Sequence, residues 1–414
     1  MSRLLDIAAP ARLGVGFRFL LGSTVLACIG DGMALAAGPL LVSSLTRNEF
    51  LVALSALLQW LPRLLFALVA GVVSDRVDRR RLVVGTEVAR AGVVGLLAVT
   101  LLTGHGSIAL VLVAMFLLGT LEVFSNNTSS TLLPMMVAPD DLALANARLQ
   151  IGFVTLSQFV GPPLGALLFG LGRAVPFASQ AILVAFGAVL VARIVLPDHE
   201  PARDSHWRRD VIEGVIWTMR HAAVRTLVLT ILIFNVTYGA AWSVLVLYAT
   251  RRLGVDSLGF GLLNAAIAAG GIVANLLYGR ITARITLGDL MRIGLVIETL
   301  VHLVLALTTS PWVAGGTLFC FGFEAFAWGT TSITVRQRAV PSELQGRVNA
   351  VNTVGSYAGL VAGAGLGGLI AQGAGVVAPF WFAFAGSAVF LMVMWRQLSH
   401  IAHEEAAAAG PAAR

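Results

Sequence analysis

Long apolar runs alternate with short polar breaks along this chain, and the length of the runs decides its class before any single residue is considered. Apolar segments occupy residues 18–42, 51–73, 82–102, 107–130, 150–170 and 175–196, and six more occupy 224–248, 258–279, 288–308, 312–335, 349–371 and 376–396. About 20 apolar residues cross a bilayer as a helix, and a helix satisfies its own backbone groups where no water can. The pattern therefore predicts an all-α membrane protein with twelve transmembrane helices. The one long polar stretch, Pro197 to Ala223, separates two sets of six. This places an N-terminal six-helix bundle at 1–197, a cytoplasmic linker at 198–223 and a C-terminal six-helix bundle at 224–414. Inside the linker, Val211, Ile212, Val215, Ile216 and Met219 recur at helical spacing among Arg208, Arg209, Glu213 and Arg220. That is the pattern of an amphipathic helix lying on the membrane face, here tethering two halves.

The halves also repeat. A shift of 202 positions superimposes Glu122, Phe124, Thr128 and Ser130 on Glu324, Phe326, Thr330 and Ser332, then Pro139 and Leu142 on Pro341 and Leu344. The same shift brings Gly161, Leu164 and Gly165 onto Gly363, Leu366 and Gly367. Glycine and leucine match easily in so apolar a chain, but paired intramembrane glutamates do not. A parallel repeat of six helices is the architecture of transporters whose two bundles rock about a midplane site.

Composition then excludes other classes. With 57% hydrophobic and 12% charged residues, the 414-residue chain is too apolar for a soluble domain, whose charged share is nearer a quarter. A net charge of +7 would suggest nucleic acid in a soluble protein; here the basic residues, all arginine, are parcelled among short loops and report orientation instead. With the N-terminus inside, 22 of the 28 Arg fall on the cytoplasmic side and only Arg47, Arg173, Arg251 and Arg252 outside. Both termini are thus expected to be cytoplasmic in a multi-pass protein of the plasma membrane. Ala34-Leu35-Ala36 imitates a signal cleavage site, but the apolar run continues to Leu45, as an uncleaved first span does. Cys28 and Cys320 lie in separate apolar runs and imply neither disulfide nor metal site. No phosphate-binding G-x-x-x-x-G-K-[ST] loop, metal cluster or nucleophile motif is present, so no cofactor, no nucleic-acid partner and no enzymatic activity are expected.

The densest charge lies between two spans, in G-V-V-S-D-R-V-D-R-R-R-L-V from Gly71 to Val83. It resembles the loop signature of the major facilitator superfamily, G-x-L-A-D-R-x-G-R-[RK]-x-x-[LI], at Gly71, Asp75, Arg76, Arg79, Arg80 and Val83, departing at Val73, Ser74 and Asp78. The D-R-x-D-R form made by Asp78 is similar to bacterial exporters of the enterobactin and macrolide efflux type. A second signature, G-x-x-x-G-P-x-x-G-G of proton-coupled antiporters, is matched at Gly161, Pro162 and Gly165, with Ser157 and Ala166 in place of its outer glycines. The resemblance spans the whole chain and implies a twelve-span, proton-coupled efflux transporter. It implies gating roles for these residues, with Asp75 a latch whose charge-assisted contact breaks when the conformation changes. Pro162 and Pro163 also remove two backbone donors, which predicts a kink in span 5.

Charge inside a span is costly and marks pathways or proton relays. Asp31, Glu122 and Glu324 are the candidates for proton coupling, since a carboxylate in a low-dielectric site can exchange protons near neutral pH, and they are expected at successive depths of one cavity. Pairing is the alternative: Arg63, on a stripe with Ser55 and Gln59, is set to neutralise Asp31, and Glu87 to pair with Arg90 three residues on. Candidate substrate contacts are Asn126, Gln158, Asn235, Tyr238, Trp242, Asn264 and Trp328. Aromatics with a few amides and carboxylates suit bulky, amphipathic or cationic organic molecules. The sequence reading is a monomeric exporter of a drug, siderophore or secondary metabolite by proton antiport. A lysophospholipid transporter, a metabolite symporter and a non-transporting membrane sensor are its rivals.

Overall fold

The computed structural model describes residues 10–195 and 207–395, apart from a few side chains that include those of Asp75, Arg208, Arg209 and Val211. Among these residues it is built of helices, eleven of them long and apolar enough to cross a membrane. Span 1 is Gly14–Leu45, span 2 Glu49–Arg76, span 3 Arg79–Leu102 and span 4 Ile108–Met136. Span 6 is Val175–Ala192, span 8 Ser257–Thr282, span 9 Leu287–Leu307, span 10 Pro311–Ala339 and span 11 Gln345–Ala374. Span 12, Ala378–Met394, has 17 residues. Outward-facing side chains such as Leu102, Leu276 and Trp312 are large and apolar, the opposite of a soluble surface.

Polar side chains at the breaks start the helices. Asp78 accepts a hydrogen bond from the Arg81 backbone N–H at 2.9 Å, so one of the residues that depart from the loop signature caps span 3. Ser107 and Thr286 cap spans 4 and 9 in the same way.

Two spans are broken. Span 5 runs as α-helix over Leu142–Gly152, as π-helix over Phe153–Val160 and as α-helix again over Gly161–Leu171. Pro162 and Pro163 have no N–H for the carbonyls of Gln158 and Phe159, and the wider turn takes up that loss. Span 7 is helical over Ala222–Trp242, breaks at Ser243 and Val244, and resumes over Leu245–Leu247 before a π-turn at Tyr248–Arg252. Its apolar run carries no proline to announce the break.

The linker helix covers Trp207–Arg220. Ile212, Val215, Ile216 and Met219 are exposed on it, while Gly214 is buried close against the backbone of Arg347 and Glu213 pairs with the Arg347 guanidinium at 2.8 Å.

Two compact units emerge. One comprises residues 1–47, 58–205 and 256–265, the other 48–57, 206–255 and 266–414, so short pieces of spans 2 and 8 belong to the unit opposite their sequence half. Both units use one packing device. In the first, a Cβ on Gly161 or Gly165 would lie 2.4 Å from Gly32 Cα or 2.1 Å from the Met33 oxygen, so spans 1 and 5 touch backbone to backbone. In the second, Gly363 and Gly367 meet the Val236 and Ala240 oxygens of span 7 at 2.3 and 2.2 Å on the same measure. Spans 4 and 10 have 29 residues each and are both followed by a short 3-10 turn, in register with the sequence repeat.

Candidate functional site

The first unit holds a cavity of about 390 Å³ lined by polar and apolar residues of spans 1 to 6. Helical spacing puts Gly119, Glu122, Asn126 and Ser129 on one side of span 4, and all four line it. Asp31 enters from span 1, Arg63 from span 2, Glu87 and Arg90 from span 3, and Gln158 from span 5.

Charge here is organised around Arg90, whose side chain is only 4% exposed. It donates to both Glu87 oxygens, at 2.9 and 3.1 Å, and to the Asp31 carboxylate of the opposing span. Asp31 also accepts from Gln180 Nε2 at 3.2 Å, and Glu87 from the Ser125 hydroxyl. Arg63 donates to Glu122, which also accepts from Asn126 Nδ2 at 3.3 Å. This corrects the pairing expected from sequence: Arg63 has Glu122 as its partner, and Arg90 serves Asp31 as well as Glu87. Opposed helices set these partners, and spacing along one helix cannot rank them.

The two pairs differ in exposure. Glu87 and Arg90 are nearly closed off, whereas Asp31, Arg63 and Glu122 keep roughly a third of their side chains open to the cavity. A closed pair orders structure; an open one can exchange partners. Three carboxylates face two guanidiniums, so the cluster with every group ionised carries one net negative charge.

Glu324 does not line this cavity, contrary to the expectation of one cavity for all three carboxylates. It lies in the second unit, 2% exposed, with neither oxygen hydrogen-bonded among the described residues. The aromatic candidates are there too. Tyr238 stacks on Trp242 and Phe321 at centroid distances of 4.5 and 5.6 Å, and Phe234 continues the stack to Trp328 at 6.2 Å. Trp328 is buried against Leu227, Met291 and Leu295, so packing accounts for most of its surface. Asn235 and Asn264 donate to carbonyls one turn back on their own helices, Ile231 at 2.7 Å and Phe260 at 2.9 Å.

Of the loop-signature residues, Gly71 lies near Asn127, Arg76 is exposed, and Arg79 reaches Met135 Sδ at 3.4 Å. Arg80 donates to the Ile194 carbonyl at 3.0 Å, tying the loop to the end of span 6. The Asp75 side chain lies outside the described set. Gly161, Pro162 and Gly165 are buried in span 5, and the two glycines lie on the face that meets span 1. Sequence reasoning missed Gln180 and Ser125. Gln180 had a visible signal, because with Ser179 it interrupts an otherwise apolar span.

Helical bundles with a carboxylate-lined intramembrane cavity and repeated halves define a multi-pass transport protein. The Major Facilitator Superfamily model matches residues 20–364 and 227–413, and the chain belongs to that family. Its relatives include an enterobactin exporter, EntS, of Citrobacter koseri, 26% identical with 85% of each chain covered. An MFS-type transporter of Bacillus subtilis, YkuC, is 25% identical over 72% of this chain and 71% of its own. Among solved structures, a bacterial homologue of the lysosomal transporter Spinster superimposes with a TM-score of 0.70 at 13% identity, covering 94% and 96% of the two chains. A bacterial homologue of the iron transporter ferroportin gives 0.68 at 16% identity, covering 93% and 98%. At such identities these structures establish the fold.

Proposed function

We propose that the chain exports a small organic molecule across the cytoplasmic membrane by proton antiport, its two bundles rocking to alternate access. The observation that carries this is the cavity of the first unit, where Asp31 and Glu122 stand half open and three carboxylates meet two guanidiniums. That balance is completed by one positive charge, which a proton or a cationic centre of the substrate supplies in turn. Neither needs to be present with the other, and this mutual exclusion is what antiport requires. Trp60, Phe153 and Phe177 in the walls, with Asn126 and Gln158, suit an amphipathic organic cation better than a sugar. The relatives named as enterobactin exporters support the outward direction and put siderophore-like and other secondary metabolites beside drugs as substrates. The arginine distribution supports cytoplasmic termini. The loop from Gly71 to Val83 and the glycine contact between spans 1 and 5 are then the gating parts.

Inverted membrane vesicles test this reading. With an imposed pH gradient, native protein should accumulate ethidium, and nigericin should collapse the accumulation. A dye gradient that survives nigericin would reject proton antiport.

A further inference from the structure

The second bundle holds buried titratable groups that the cavity of the first does not use. Span 9 presents Gly294, Glu298 and His302 at four-residue intervals, one helical face climbing about 6 Å per step. All three positions are buried, Glu298 at 1% and His302 at 0% exposure. At the first step span 10 fills the space beside the glycine: a Cβ on Gly294 would lie 3.0 Å from Glu324 Oε1 and 3.0 Å from Trp328 Cδ1. At the second, Glu298 Oε1 accepts from Thr237 of span 7 at 3.3 Å and from Ser387 of span 12 at 3.4 Å. At the third, His302 Nδ1 lies 3.0 Å from the Glu298 carbonyl oxygen, and the ring stands edge-on to Trp242.

The histidine geometry fixes its tautomer. A carbonyl oxygen only accepts, so Nδ1 carries the hydrogen and Nε2 keeps its lone pair. That nitrogen is buried without a hydrogen-bond partner among the described residues, as are both oxygens of Glu324. Cations are turned elsewhere. Arg292, earlier on span 9, pairs with Asp289 at 3.4 Å and lies over Trp395, and Arg336 stands twelve residues, about 18 Å, along span 10 from Glu324. The ionisable neighbour of Glu324 is Glu298, and spans 7 and 12 offer Glu298 the Thr237 and Ser387 hydroxyls. Three proton acceptors, Glu324, Glu298 and His302, are thus buried together, and among the described residues none is paired with a guanidinium.

We propose that Glu324, Glu298 and His302 form a second proton-carrying file, through the second bundle, in addition to the first-bundle carboxylates that exchange a proton for substrate. A proton captured on His302 Nε2 makes an imidazolium. Once a side-chain rotation or a bridging water joins Nε2 to the Glu298 carboxylate, the N–H bond breaks as an O–H bond forms there, and a like exchange passes the proton to Glu324, with no other co-reactant. The proposal rests on proton antiport and assigns Glu298 and His302 to it.

The test uses full-length protein in liposomes, with ethidium inside or outside and a pH dye to follow protons. Glu298→Gln and His302→Gln should still let ethidium run down its own gradient but should lower its accumulation by a pH gradient, with fewer protons moved per ethidium than in native protein. Variants that accumulate ethidium as native protein does, beside a coupled native protein, overturn the file alone. Native protein that moves ethidium without protons overturns antiport and the file together. Infrared difference spectra on a pH step need no substrate: a protonated-carboxyl band lost in Glu298→Gln supports the file, and an unchanged spectrum overturns it.

Discussion

Gly165 offers a sharp test of how the first bundle is held together. An added Cβ would lie 2.1 Å from the Met33 carbonyl oxygen and 2.6 Å from its Cα. Non-bonded carbon atoms settle at roughly 3.5–4.0 Å, so Gly165→Ala must drive spans 1 and 5 apart by about 1 Å or more. Overpacking of this kind costs about 1–3 kcal/mol. Five residues on, Gly170 stands on the exposed side of the same helix with open space where its Cβ would be. There alanine removes only glycine's surplus backbone freedom, and Gly170→Ala should stabilise by about 0.5–1 kcal/mol. The sign of the effect therefore reverses within one helix. Thermal unfolding of the purified variants in one detergent, read by tryptophan fluorescence, measures it. Gly367→Ala, whose Cβ would meet the Ala240 oxygen at 2.2 Å, should behave as Gly165→Ala does, because the repeat reuses the contact. A Gly165→Ala protein as stable as native would refute the reasoning, since no side-chain rotation relieves a clash with backbone.

Other expectations follow from the charges. Arg90→Leu strands the closed-off Glu87 and the half-open Asp31, and should destabilise by about 3–5 kcal/mol; adding Glu87→Gln should recover part of this in a double-mutant cycle. The Arg251–Glu49 pair is partly exposed, so Glu49→Gln should cost no more than about 1 kcal/mol by the same unfolding assay. Asp78→Ala removes the cap of span 3 and should cost about 1 kcal/mol, whereas Asp78→Ser should be nearly neutral.

Much of this architecture could be read in the chain itself, because the bilayer imposes one rule on every span. The apolar run 82–102 became Arg79–Leu102, and its extra turn is the stretch capped by Asp78. The prolines of span 5 announced an irregularity, and it lies in the turn before them. The break in span 7 had no such signal, since Ser243 and Val244 fit a helix as well as a turn. Site residues were legible to the extent that charge in an apolar run is conspicuous: Asp31, Glu122, Glu87, Arg63 and Arg90 do share one cavity. Their partners were not legible. Arg63 lies on span 2 and its partner on span 4, and only packing decides that Glu122 rather than Asp31 meets it. His302 escaped notice because an isolated histidine in an apolar span is usually core; its unsatisfied Nε2 exists only in three dimensions.

In the proposed antiport the carboxylates of the first bundle hold a proton that substrate displaces. The direct measurement is proton release when ethidium binds to purified protein in weakly buffered detergent solution. Native protein should release protons on binding, and Asp31→Asn or Glu122→Gln should abolish the release. Binding that releases no proton from native protein would contradict it.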